Sequence, residues 1–192
     1  MTDNHSENTT AALRSTFLYF AYGSNMLSRR LKHKSRCPSA DYESTGFISG
    51  RQLTFDKVSK DGSGKCNIDE GATSARVYGV VFRIDCSEKS ALDRAEGSGK
   101  GYDEKIVEVN TTDGKINAKT YVASRKVKGL FPYTWYKALV VAGAVEHRLP
   151  PDYVEWLRCF PCKVDYDDDR KERIEAEAIL LGGQSMEELS ED

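Results

Sequence analysis

Long apolar runs are absent from this sequence. No window reaches the roughly 20 consecutive apolar residues that a membrane-spanning helix needs, so we expect no membrane partner. The first fifteen residues are polar and contain neither a basic start nor an apolar stretch, and no secretory signal is predicted. By elimination, we expect a cytoplasmic protein.

An excess of charge of one sign is also missing. The chain has 28 Lys and Arg against 30 Asp and Glu, which gives a formal net charge of -2. Neither sign dominates a stretch long enough to follow a phosphate backbone. We therefore expect no nucleic-acid partner.

Metal ligands and disulfide partners are scarce. The 3 histidines have no Cys or acidic partner at a metal-site spacing, and the 5 cysteines are odd in number and scattered. Cys159 and Cys162 form one Cys-x-x-Cys, without a second pair at zinc-finger spacing. The glycine-rich residues 97–101 fail the P-loop pattern, because Arg94 and Gly101 stand where Gly and Ser or Thr are needed. We expect no metal, no nucleotide and no other cofactor.

The length of 192 residues suits one compact domain with a core of its own. We predict that this domain covers residues 16–181. Residues 1–15 are predicted to form a flexible N-terminal segment, and residues 182–192 a flexible acidic tail.

Several segments have the composition of β-strands. The predicted strands cover residues 16–21, 47–58, 75–85, 105–111 and 115–123. The last two flank an Asp-Gly dipeptide, which is a strong hairpin signal. Residues 59–65 are polar and contain two glycines, which is typical of a loop.

Helices are predicted mainly in the second half of the chain. Their ranges are 26–32, 87–95 with Ser87 at the N-cap, 133–147, 152–160 and, less regularly, 167–181. The helix predicted at 133–147 carries an apolar stripe at near-helical spacing, which consists of Trp135, Ala138, Leu139, Ala142 and Val145. Such a stripe is typical of a core-facing surface, with a homodimer face as the alternative. We predict an α+β fold with a mostly antiparallel, partly closed, barrel-like sheet flanked by helices.

Two local features could carry chemistry. Residues 22–25 (Tyr-Gly-Ser-Asn) follow a buried strand, where successive backbone N–H groups can bind a carboxylate or an oxyanion. The same residue types are also typical of an ordinary turn. Glu96 lies at the end of a predicted helix, before a glycine-rich loop, where functional carboxylates are often presented. It could equally be an exposed helix-end glutamate.

Taken together, these motifs resemble the γ-glutamylcyclotransferase family, and the resemblance extends over roughly residues 16 to 160. The residues that carry it are 17–26 (Phe-Leu-Tyr-Phe-Ala-Tyr-Gly-Ser-Asn-Met), Gly79, Val80, Val81, Leu92, Asp93, Glu96, Gly97, Tyr102, Tyr121, Tyr136, Lys137, Gly143 and Ala144. The resemblance implies that Glu96 is the catalytic residue. It implies substrate binding by Tyr19, Phe20, Ala21, Tyr22, Gly23, Ser24, Asn25, Tyr102, Tyr121 and Tyr136.

The activity that this resemblance implies is the cyclisation of γ-glutamyl amino acids. The α-amine of the substrate attacks its own γ-carbonyl and releases 5-oxoproline and an amino acid, so no Ser, Cys or metal nucleophile is needed. One carboxyl group can take the proton from the amine and return it to the leaving nitrogen. Two alternatives stay open: a γ-glutamylamine cyclotransferase, and a non-catalytic binding or stress-response module on the same scaffold. Asn25 argues against glutathione-specific relatives, in which leucine is typical at that position.

Overall fold

The computed structural model of the chain describes residues 15–97, 99 and 101–182. The segment predicted to be flexible at 1–15, apart from Ser15, and the acidic tail predicted at 182–192, apart from Gly182, lie outside those residues. Within them, the strands are β1 (Thr16–Ala21), β2 (Asp41–Ser49), β3 (Arg51–Val58), β4 (Gly64–Glu70), β5 (Arg76–Asp85), β6 (Tyr102–Thr111) and β7 (Gly114–Ala123).

Five of these strands close into a barrel in the order β1-β5-β2-β6-β7. The pairs along this order are antiparallel, and the barrel is closed by a parallel contact between β1 and β7 at Tyr19 and Lys119. The predicted α+β class and barrel-like sheet are confirmed. The sheet is closed rather than partly closed.

The remaining strands, β3 and β4, form a separate antiparallel pair. The single strand predicted at 47–58 is wrong, because Gly50 takes a positive φ of 67° and divides it between β2 in the barrel and β3 in the pair. The loop predicted at 59–65 is too long at its C-terminal end, since β4 already begins at Gly64.

The helices are α1 (Ser28–Leu31), α2 (Lys89–Glu96), α3 (Thr134–Glu146), α4 (Pro151–Cys159) and α5 (Lys171–Leu180). Short 3₁₀ turns at Ser24–Met26 and Cys86–Glu88 precede α1 and α2, so the helix predicted at 26–32 is shorter and Ser87 is not the N-cap of α2. None of the described helices is both long and apolar enough to cross a membrane.

Helix α3 is the central helix of the layer outside the barrel, in contact with α4, α5 and the turn Ser24–Met26. It buries Trp135, Tyr136, Leu139, Val140, Gly143 and Ala144. The predicted stripe is therefore partly wrong in phase: Trp135 and Leu139 are buried as expected, but Val145 is 47% exposed.

Candidate active site

The turn Ser24–Met26 packs against α3, which holds it in place. A Cβ added to Gly143 would lie 2.5 Å from the backbone nitrogen of Leu27 and 2.7 Å from the Cβ of Met26, so only glycine permits this approach. The turn directly follows β1, and its Asn25 is 5% exposed. The close contact positions the backbone of the turn that carries Asn25.

Glu96 is presented by the C-terminus of α2. Gly97 has φ 67° and ψ 41°, the left-handed conformation that commonly ends a helix. Glu96 is therefore the last helical residue, as the sequence predicts, and it is partly buried rather than fully exposed. A carboxylate at this position also faces the negative end of the helix dipole, which disfavours its ionised form.

Two side chains of the segment 17–26 bind the Glu96 carboxyl group. The hydroxyl of Tyr19 donates a hydrogen bond to Oε1 at 3.0 Å, and Nδ2 of Asn25 donates to the same oxygen at 2.5 Å. Among the described residues, no hydrogen-bond donor reaches Oε2. The two motifs, separated by about seventy positions in the chain, thus meet at one oxygen atom.

A cavity of about 30 Å³ opens beside this contact. It is lined by Tyr19, Tyr22, Gly23, Ser24, Asn25, Cys66, Glu96, Tyr102, Tyr121 and Tyr136. The structure therefore brings together Glu96 and eight of the ten residues for which the sequence predicts substrate binding. Cys66 was not predicted, because it lies on β4, a strand whose polar sequence gives no strand signal.

Phe20 and Ala21 are the two predicted residues that do not line the cavity. Phe20 is fully buried, and its ring stacks on Tyr22 with the centroids 6.4 Å apart. Both residues lie against Gly79 of β5, where an added Cβ would come 2.4 Å from the carbonyl oxygen of Ala21 and 2.7 Å from the Phe20 ring. Their side chains belong to the core and do not line the cavity.

The tyrosine hydroxyls tie the cavity wall together. Tyr102 donates to the carbonyl oxygen of Cys66 at 2.7 Å, and the Tyr136 hydroxyl accepts from the Cys66 N–H at 3.2 Å. Tyr121 donates to Asp93 at 2.6 Å, one helical turn before Glu96. These bonds present the rings as rigid, largely apolar walls, since rings buried with satisfied hydroxyls have little freedom.

The environment of Glu96 favours its protonated form. Burial raises the pKa of Glu96 above its ordinary value of 4.5, while Arg36, the Tyr19 hydrogen bond, Arg30 and Lys57 each act in the opposite direction. The effect of burial is the largest, so the pKa of Glu96 lies above its ordinary value. A carboxyl group of this kind can both accept and return a proton near neutral pH.

A wider basin of about 310 Å³ continues from the small cavity. Ser24, Asn25, Glu96, Tyr102 and Tyr136 line both spaces. The walls of the basin carry six basic side chains, which are Arg30, Arg36, Lys57, Lys60, Lys65 and Arg94. None of these was singled out as a binding residue by the sequence, because they come from several separate segments.

No metal centre is visible in the described part of the chain, where His, Cys, Asp and Glu form no group of three or more that could hold an ion. Cys159 and Cys162 are unpaired thiols. The Glu104 carboxylate bridges Lys89, at 2.6 Å, and Lys119.

Comparison with known proteins points to one family. A model of the AIG2-like family matches residues 76–157. The chain is 34% identical to mouse γ-glutamylcyclotransferase over 149 residues, which cover 74% of this chain and 78% of the mouse protein. It is 30% identical to the human γ-glutamylcyclotransferase over 181 residues, or 91% of this chain and 94% of the human one. The chain belongs to the γ-glutamylcyclotransferase family.

A solved structure supports the same assignment at the level of the fold. A γ-glutamyl cyclotransferase with 28% sequence identity superposes with a TM-score of 0.77, covering 88% of this chain and all of that one. The AIG2-like match contains Glu96 and three of the cavity tyrosines, whereas β1 and the turn Ser24–Met26 lie outside its range. The relatives in mouse and human support a γ-glutamylcyclotransferase type of function.

Proposed function

We propose that this chain converts γ-glutamyl amino acids into 5-oxoproline and the free amino acid. The α-amine attacks the γ-carbonyl, a five-membered lactam forms, and the bond to the leaving nitrogen breaks. The observation that carries the proposal is the convergence of Tyr19 and Asn25 on one oxygen of Glu96, beside a cavity walled by tyrosines. The relatives named γ-glutamylcyclotransferase support it.

In this proposal Glu96 moves the proton through Oε2. Because Oε1 already accepts two hydrogen bonds, Oε2 is the oxygen that remains to bind a proton. It takes the proton that the amine loses as the new C–N bond forms. It then gives that proton to the leaving nitrogen as the old C–N bond breaks, so the enzyme ends in its starting state.

The glutamyl part of the substrate is assigned to the small cavity and the leaving amino acid to the basin. The backbone N–H groups of Gly23 and Ser24 begin the 3₁₀ turn, and the first N–H groups of a helical turn have no acceptor within it. We assign these groups to the developing oxyanion or to the α-carboxylate of the substrate. Since each such donor contributes roughly 3 kcal/mol in comparable sites, no metal is needed to stabilise this charge.

The proposal is tested by incubating the purified protein with a panel of γ-glutamyl amino acids, γ-glutamylamines and glutathione, and measuring 5-oxoproline. We expect release from the γ-glutamyl amino acids, unchanged after exhaustive chelation. Higher turnover of the γ-glutamylamines would favour the alternative cyclotransferase. Absence of 5-oxoproline from every compound would overturn the proposal and favour a non-catalytic binding module.

A further inference from the structure

The basin next to Glu96 holds more positive than negative charge. Its six basic side chains face four acidic ones, namely Asp61, Glu96, Glu172 and Glu175. One pair is satisfied internally, because Nζ of Lys65 lies 3.1 Å from Asp61 Oδ2. Of the remaining cations, Arg30, Arg36 and Lys57 are those whose charges lower the pKa of the Glu96 carboxyl group.

Arg30 is largely buried and poorly paired. Its side chain is 14% exposed, and its nearest carboxylate, Glu175, lies 4.0 Å away. The buried Nε atom has no hydrogen-bond partner within the described residues. Leaving a buried guanidinium donor unsatisfied is costly, which indicates that a further acceptor completes this site.

Arg36 and Lys57 line the same basin as Arg30, and neither forms an ion pair with a described carboxylate. Arg36 reaches only the amide oxygen of Asn25, at 3.5 Å, and no carboxylate of the described chain lies within ion-pair distance of it. Lys57 stands 4.8 Å from the centre of the Tyr102 ring, and it too forms no ion pair with a described residue. Burial lowers the pKa of Lys57, while Glu96 and Asp61 raise it.

We propose that Arg30, Arg36 and Lys57 form an anion subsite for the leaving group, which gives the enzyme a preference for acidic γ-glutamyl acceptors. This inference rests on the proposed function, because the leaving group enters the basin only if the scissile bond lies at Glu96. A leaving amino acid with a second carboxylate supplies the hydrogen-bond-accepting oxygens that these three side chains lack. Charge-assisted bonds of this kind are stronger than neutral ones, and Arg binds carboxylates in a bidentate manner.

The sharpest test compares γ-glutamyl-glutamate with γ-glutamyl-glutamine, since the two have nearly the same shape and differ by one charge. We expect kcat/KM for 5-oxoproline release to be about tenfold or more higher for the glutamate compound, as for one charge-assisted bond. Lys57→Met and Arg36→Met should reduce this ratio toward one. Lys115→Met is the matched control, because Lys115 is 63% exposed and pairs only with Glu108 on the β6–β7 hairpin.

The ratio of the two kcat/KM values distinguishes a loss of the subsite from an effect on Glu96. Neutralising Arg36 or Lys57 also removes a charge that lowers the pKa of Glu96, but that change affects both substrates alike and cancels in the ratio. A ratio near one in the wild-type protein would overturn the subsite, as would a ratio that survives in both folded variants. Circular dichroism checks that both variants are folded.

Binding distinguishes failure of the subsite from failure of the proposed function. Calorimetric titration of Glu96→Gln with the same two compounds requires no turnover, and we expect the glutamate compound to bind about tenfold more tightly. If the wild type turned neither compound over while this difference was observed, the reaction would be wrong and the subsite supported. Turnover with equal binding of the two compounds would overturn the subsite alone.

Discussion

Replacing Tyr19 with phenylalanine removes the hydrogen bond that its hydroxyl donates to Glu96 and a longer one, at 3.4 Å, that it accepts from Asn25 Nδ2. The Tyr19 side chain is 4% exposed, and its ring packs edge-on against Tyr121 with centroids 5.9 Å apart. A phenyl ring keeps that contact. The hydroxyl donates to Glu96 Oε1 at 3.0 Å and lowers the pKa of the carboxyl group, so its loss should raise this pKa further.

The magnitude follows from the strength of a bond to a charged acceptor. Such a bond contributes roughly 1.5–3 kcal/mol, and the lower end applies because Asn25 still donates to the same oxygen. Since about 1.4 kcal/mol is a factor of ten, kcat/KM on the acid limb of the pH profile should fall about tenfold. At high pH, where Glu96 is ionised in both proteins, the difference should become small.

The assay is 5-oxoproline release from one γ-glutamyl amino acid, measured at constant ionic strength across the acid limb and the plateau. Tyr166→Phe is the matched control, because Tyr166 is 89% exposed. The control should reproduce the wild-type profile. An acid limb that did not move toward higher pH in Tyr19→Phe would refute the role given to the Tyr19 hydrogen bond.

Two further predictions concern stability. Gly143→Ala should lower the free energy of unfolding in urea by about 1–2 kcal/mol, since overpacking against Leu27 and Met26 exceeds the gain in helix propensity. It should also reduce turnover by displacing Asn25. Unchanged stability would contradict the close packing. Glu96→Gln should gain stability over the wild type as pH rises: the contribution of a carboxyl group with a raised folded-state pKa is present below pH 4.5 and lost as pH rises through that pKa. Urea unfolding between pH 4 and 8 measures this difference, and a constant difference would contradict it.

The parts of the fold that are predictable from sequence are those with local signals. β1 and β5 are continuous β-forming segments, and an Asp-Gly turn marks the β6–β7 hairpin. β4 is missed because its mostly polar sequence does not reveal the tertiary hydrogen bonds that hold its centre. Asn67, at its centre, is fully buried and bonds to Asp56 and to the backbone N–H of Ala123.

The site shows the same division between local and long-range information. The family resemblance identifies Glu96, the loop at 22–25 and the three later tyrosines. It does not separate residues that line the cavity from their neighbours in β1, because which face of the strand meets the core depends on Gly79 of β5. Arg30, Arg36 and Lys57 lie on different segments, and in a charge-balanced sequence such residues are most often solvated.

The most direct test of the proposed mechanism is the turnover number of Glu96→Gln with a γ-glutamyl amino acid. The amide keeps the shape of the carboxyl group but cannot accept and return a proton, so kcat should fall about a hundredfold or more, with little change in KM if chemistry limits the rate. Glu108→Gln, at a site 56% exposed on the β6–β7 hairpin, should keep wild-type kcat. Wild-type turnover by a correctly folded Glu96→Gln would contradict the assignment of Glu96 as the proton carrier.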